Sequence, residues 1–239
     1  KPDFPDASYG LALAYLAKGD FYNGWVEYDS RFKTEQASPI LSNKKKITGS
    51  LNKKKRLLLR EEQGIGDQIM FLSAIPEIYK ICSQLIIQTD ERLIPLFKRS
   101  FPPDIIFYSN KQQVPPHQYD DEIYMGSVFK RFRPNLGSFK KSCGKYLKVE
   151  LDLAAKLRKQ LLTGQNSKVI GISWKGGSKK NCVPTNKSIE LNQIALLLNS
   201  ENVKLVSLQY GDTAQEIKSL KNEYGVSVTN LSEIDNLHN

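Results

Sequence analysis

Two stretches of this chain place chemically capable residues directly after apolar runs. The first follows Leu57-Leu58-Leu59 and reads Glu61-Glu62-Gln63-Gly64-Ile65-Gly66-Asp67. Glycines let the backbone take angles that other residues resist and let a ligand come close. Asp67 stands where the chain is expected to turn helical, at the carboxyl edge of a strand, where open α/β sheets bind ligands. Such a carboxylate can serve as a general base. Its ordinary pKa of about 3.9 makes it a weak one near neutrality, a helix N-terminus favours the charged form further, and partial burial acts the other way. The alternative role is structural, an N-cap whose oxygen accepts the amide of Ile69 or Met70.

The second stretch is Gly171-Ile172-Ser173-Trp174-Lys175-Gly176-Gly177-Ser178-Lys179-Lys180. A strand ending in Gly-Gly-Ser exposes backbone amides that can form an anion-binding concavity, and the lysines add point charge for a diphosphate. Asn186-Lys187-Ser188 then precedes a helix whose N-terminus would contribute partial positive charge. A lysine-rich loop without a ligand is the plainer alternative. Two familiar phosphate motifs are excluded. In Gly64-Ile65-Gly66-Asp67-Gln68-Ile69, Ile69 occupies the third glycine position of the dinucleotide fingerprint and Asp67 would repel a diphosphate. No Gly-Lys-Ser or Gly-Lys-Thr closes the turn, so it is no P-loop.

The elements that must position these turns emerge from periodicity. Residues 8–32 read as a helical hairpin broken at Gly19-Asp20, with Leu11, Ala14, Tyr15 and Lys18 at helical spacing before the break and Phe21, Trp25, Tyr28 and Phe32 as an aromatic stripe after it. One such hairpin cannot bury its own faces, so either further repeats precede it or it packs on the α/β segment C-terminal to it. Residues 34–55 read as a linker rich in Ser, Asn, Pro and Lys. Strand 56–60, a helix from Asp67 to Cys82 kinked at Pro76, strand 84–88, helix 91–99 and strand 105–108 form a βαβ series. Residues 114–146 read as loop-rich. A helix over 152–163 leads to a second series with strand 168–174, helix 189–198, strand 204–208, helix 213–224 and strand 226–228. Three strands are few for such a sheet, so the second domain is expected to be truncated. The expected domains are 1–33, 34–55 (linker), 56–150 and 151–239.

Composition narrows the function classes. The chain has 239 residues, 40% of them hydrophobic, enough for one large core or two modest ones, and no apolar run approaches the roughly 20 residues of a membrane span. With only His117 and His238 available, a histidine-based metal cluster or a Ser-His-Asp triad has little to draw on. Cys82, Cys143 and Cys182 are widely spaced without a C-x-x-C pair, which fits reduced thiols and a cytoplasmic location. The net charge of +10, clustered at Lys44-Lys45-Lys46, Lys53-Lys54-Lys55-Arg56, Lys140-Lys141 and Lys179-Lys180, attracts phosphate. No zinc-finger or RNP-like signature accompanies it, and no nucleic-acid partner is expected.

Taken in order, the hairpin with Gly24-Trp25-x-x-Tyr28-x-x-Arg31, the Glu62-Gln63-Gly64-Ile65-Gly66-Asp67 turn, Gly171-Ile172-Ser173-Trp174-Lys175-Gly176 and Val206-Ser207-Leu208-Gln209-Tyr210-Gly211-Asp212 resemble bacterial tetratricopeptide-linked glycosyltransferases. These are similar to the ADP-heptose:lipopolysaccharide heptosyltransferases of glycosyltransferase family nine. The resemblance implies a GT-B-like pair of Rossmann-like α/β domains, the second truncated, preceded by a tetratricopeptide-type hairpin. It implies Asp67 as general base, Gln63, Gly64 and Gly66 as the acceptor-side loop, and Gly176, Gly177, Ser178, Lys187 and Ser188 as the donor-phosphate site. It further implies a nucleotide-diphosphate sugar as substrate, no metal or other cofactor, and a glycan, lipid-linked or protein acceptor. The expected location is cytoplasmic, with the inner membrane surface as an alternative. The family's later donor-pocket segment, a helix N-terminus near an Asp-x-x-x-x-His-like motif, does not occur before Asn239, so the chain alone is expected to be inactive. The competing expectation is a non-catalytic scaffold that binds a protein partner through the tetratricopeptide region and its aromatic stripe.

Overall fold

A computed structural model describes residues 4–34, 55–140, 144–162, 168–176 and 188–231. The chain divides between Val149 and Glu150 into two units, each a mixed α/β body built on a parallel sheet.

The first unit opens with α1 (Pro5–Lys18) and α2 (Phe21–Tyr28), antiparallel neighbours separated by Gly19, whose φ of 85° ends α1 in the left-handed region. Asp20 caps α2 through the Asn23 amide at 3.3 Å. Gly24 lets the two helices touch, since a Cβ there would come within 2.7 Å of Leu16 Cγ. A 3-10 turn, Asp29–Lys33, follows. The aromatic stripe does not face solvent. Trp25 meets Phe129 edge-on at 5.2 Å and donates its indole N–H to the Arg133 carbonyl at 3.0 Å, while Phe21 packs on Phe139 and Phe32 on Tyr124. Trp25 and Tyr28 are buried in the same cluster as Leu57, Leu59 and Phe71, so the hairpin closes the core of the α/β unit.

The sheet of this unit contains β1 (Arg56–Arg60), β2 (Gln84–Thr89), β3 (Ile106–Ser109) and β4 (Asp121–Tyr124) in the order β3-β2-β1-β4, all parallel. Leu57, Leu58, Leu59, Leu85, Ile86 and Ile87 are essentially inaccessible, and each such side chain contributes about 1.5–3 kcal/mol on burial. One face packs on α3 (Ile65–Leu72), the helix Ile94–Ser100 and the hairpin; the other, bearing Leu58 and Ile86, is covered by Val114 and Tyr119.

Two expectations are corrected by this unit. The helix expected from Asp67 to Cys82 begins at Ile65 and ends at Leu72, and after Ser73 and Ala74 the chain resumes as one turn, Ile75–Ile78, with Pro76 in its first turn, where proline's missing N–H costs nothing. The text expected to be loop over 114–146 contains β4. Its acids disguise it: Glu122 is fully buried and its charge is met by Arg60 Nε at 2.6 Å.

The second unit has β5 (Lys168–Ile172), β6 (Val203–Ser207) and β7 (Val228–Thr229) in sequential parallel order, with the helices Leu191–Leu198 and Ala214–Tyr224 as crossovers. Its core is smaller, centred on Ile172, Trp174, Leu191, Leu205, Leu220 and Val226. The helix Leu151–Leu161 buries none of its residues.

Candidate functional site

In the first unit the strand order reverses between β1 and β4, the place where open α/β sheets usually receive a ligand. Here protein fills it. Glu62, just past β1, accepts a fork from Arg31, Nε at 2.7 Å and Nη2 at 2.8 Å, and also accepts the amide of Gly126, just past β4. Arg31 comes from the 3-10 turn after α2 and donates further to the Tyr28 carbonyl, Asp29 Oδ1 and Ser127 Oγ. Ser127 Oγ in turn donates to Asp29 Oδ1 at 2.7 Å. Both Arg31 and Glu62 are buried, at 7% and 1% side-chain exposure, so each charge depends on the other.

The turn beside this plug carries Gln63, Gly64, Gly66 and Asp67. Asp67 is half-buried at the third residue of α3, and its Oδ2 accepts the amide of Gly64 at 3.1 Å. It is therefore not the N-cap that would accept Ile69 or Met70; Gly64 holds the cap position and Asp67 reaches back to it. The glycines do not supply the left-handed residue either. Gly64 has φ of −84°, whereas Gln63, with φ of 60°, is the positive-φ non-glycine among the described residues. The side chain of Gln63 donates to the Tyr28 hydroxyl, and burial pushes that phenol's pKa far up despite the nearby Arg31. A Cβ at Gly66 would meet nothing within 4 Å, and one at Gly64 would make an ordinary contact with Asp67.

Sequence reasoning passes over a second acid at this edge. Glu61, the first residue past β1, accepts from Gln68 Nε2 at 3.2 Å. Gln68 is 2% exposed and is itself fixed, its Oε1 accepting from Thr89 Oγ1 at 2.7 Å and the Asp90 amide at 3.1 Å. Burial pushes the Glu61 carboxyl above its ordinary value; hydrogen bonds from Asn110 and Gln68 draw it partly back, and the charge of Asp90 adds to the rise. Glu61, Asp90 and Asn110 thus come directly after β1, β2 and β3 along one edge. The available signal was the Glu-Glu pair itself, whose two members face different environments.

The basic cluster at the opposite edge is largely committed. Arg56 chelates Asp120 and Lys55 Nζ lies 2.7 Å from Asp121. The Arg56 guanidinium holds the Asp120 carboxyl down at about 2. Lys53 and Lys54 lie outside the described residues.

In the second unit, Gly176 and Ser188 come together: the Gly176 amide donates to Ser188 Oγ at 3.3 Å, and Ile189 N donates to the Trp174 carbonyl at 2.9 Å. Gly177, Ser178 and Lys187 lie outside the described residues. The helix after Ser188 starts at Leu191 with Glu190 as its N-cap residue, two positions later than a direct Ser188 junction would require, and the acid there opposes an anion. Lys175 is engaged with Glu216 at 2.8 Å. The turn is held by Gln209, whose Oε1 accepts from Ser173 Oγ, Trp174 N and Lys175 N at 3.0, 2.9 and 2.8 Å.

Among the described residues no group of three or more His, Cys, Asp or Glu side chains could hold a metal ion, and no described helix is long and apolar enough to cross a membrane. Cys82 is a free thiol whose pKa burial raises; Cys143 and Cys182 lie outside the described residues.

The chain is similar to Protein FlbA of Caulobacter vibrioides, 28% identical over 255 residues in an alignment that takes in 98% of this chain and 42% of FlbA. It thus spans less than half the length of that relative. No family model and no solved structure matches it.

Proposed function

We propose that this chain works within an inverting, metal-independent glycosyltransferase of GT-B type, the first unit handling the acceptor, the second the nucleotide-diphosphate sugar, and the hairpin ending a tetratricopeptide-like segment. The acceptor is a glycan, a lipid-linked sugar or a protein, and the location is cytoplasmic. Asp67 takes the proton from an acceptor hydroxyl, whose oxygen bonds to the anomeric carbon as the bond to the diphosphate breaks. The nucleoside diphosphate leaves and the anomeric configuration inverts. Backbone amides and lysines of the 176–188 segment stabilise the departing charge.

The observation that carries this reading is the bare backbone at Gly64 and Gly66. No neighbouring atom of the first unit demands glycine at Gly66, and the contact at Gly64 is an ordinary one, yet these residues lie just before a half-buried carboxylate at the carboxyl edge of β1. Close approach of a ligand explains both. The motif resemblance supplies the reaction class.

The test incubates the full-length protein with UDP-, GDP-, ADP- and dTDP-sugars and cell-envelope extract as acceptor, and measures released nucleoside diphosphate and sugar incorporated. Release from one donor class, dependent on acceptor, is expected. No binding or turnover of any donor points instead to the scaffold reading.

A further inference from the structure

We propose that the helical hairpin is a clamp that sets the backbone of the Asp67 turn, with Arg31 and Tyr28 as positioning residues. This rests on the reading of Asp67 as the base, but the clamp is a statement about conformation and can be tested without substrate.

Gln63 holds a φ of 60°, which side chains resist, so something outside the turn must keep it there. Two contacts that grip its first residues come from the hairpin, while Gly126 also holds Glu62, and Thr89 and Asp90 hold Gln68 at the far end. Tyr28 accepts the Gln63 side-chain amide, and the Arg31 fork takes both oxygens of Glu62, the residue before it. Arg31 is itself immobilised against the rings of Tyr28 and Phe32, 4.3 and 4.0 Å from their centroids, and by Asp29. The next residue along, Gly64, is bonded to Asp67. An unbroken series of contacts therefore runs from α2 through Glu62, Gln63 and Gly64 to the Asp67 carboxylate.

Withdrawing Arg31 strands a desolvated carboxylate against the Gly126 amide, and a small displacement gains nothing. Gly126 fits the same arrangement, because a Cβ there would overlap Glu62. Whatever bends or binds the hairpin thereby acts on the turn.

The experiment is amide hydrogen exchange on the whole chain, comparing residues 63–68 with Leu85–Ile87 in β2. Tyr28→Phe keeps the ring and removes one acceptor; exchange at 63–68 should rise about tenfold, the response to one lost hydrogen bond, with β2 unchanged. Arg31→Lys, which keeps the charge but loses the fork, should loosen the same segment. Unchanged exchange at 63–68 in both variants overturns the clamp, as does an equal rise in β2, which would mark a general loss of stability. In the full-length protein, Tyr28→Phe should lower kcat for sugar transfer without altering donor Kd. A loosened turn in a protein that transfers no sugar, wild type included, upholds the clamp and removes the transferase reading alone.

Discussion

The turn after β1 and the turn after β5 have the same local plan, a parallel strand running into glycine and then a helix, but different supports. β1 lies between two partners, and Leu57, Leu58 and Leu59 are buried on both faces. Among the described residues β5 pairs with β6 alone, and Lys168 and Gly171 are exposed. The first turn is gripped by an element outside the βαβ unit, through a buried ion pair and a phenol. The second is held from within, by one side-chain oxygen of Gln209 gathering three donors. On the proposed reading of Asp67 as the base, its carboxylate is the one that needs to be aimed, and it has the more extensive support.

Substitutions can break this contrast. Trp25→Ala should have the largest effect, a loss of about 3–5 kcal/mol in the urea unfolding of the first unit, because it removes a core ring and an indole hydrogen bond together. A change under about 1 kcal/mol would mean that the hairpin is merely tethered. The two tight glycines sharpen the comparison. Gly126→Ala drives a methyl into Glu62, which Arg31 holds fixed, and should cost about 3 kcal/mol.

Gln209→Ala should cost about 1–2 kcal/mol by leaving the buried Trp174 amide unsatisfied. Gly171→Ala meets Leu208, a half-exposed side chain free to swing, and should cost less than about 1 kcal/mol by the same unfolding measurement. The smallest effect is expected at Glu61. Its folded-state pKa is raised, so the native state binds the proton more tightly than the unfolded chain, and wild type loses stability as pH rises through the carboxylate range. Glu61→Gln does not titrate; its Tm should exceed that of wild type at pH 7, and the gap should close near pH 4.

Much of the fold was legible because it rests on periodicity. The runs Leu57-Leu58-Leu59 and Leu85-Ile86-Ile87 have the character of strands buried on both faces, and β1, β2, β5 and β6 fall within a residue or two of expectation. β4 was hidden because Asp121 and Glu122 look like loop residues until Lys55 and Arg60 are placed beside them, a pairing more than 60 positions apart in sequence. The start of α3 lies two residues earlier than expected because Asp67 resembles a cap. The supports of the Asp67 turn were not legible. Arg31 and Glu62 both stand in recognisable motifs, but nothing local says that they meet. The left-handed angle fell on Gln63, beside the glycines that seemed made for it, because tertiary contacts outweighed backbone preference there.

The central chemical claim is tested most directly by replacing Asp67 with Ala in the full-length protein and measuring sugar transfer and calorimetric donor binding on the same preparation. The expected result is transfer reduced by about a hundredfold or more with donor Kd unchanged, as for loss of a general base. Transfer at the wild-type rate would contradict the account and leave the Gly64–Asp67 turn as a structural feature alone.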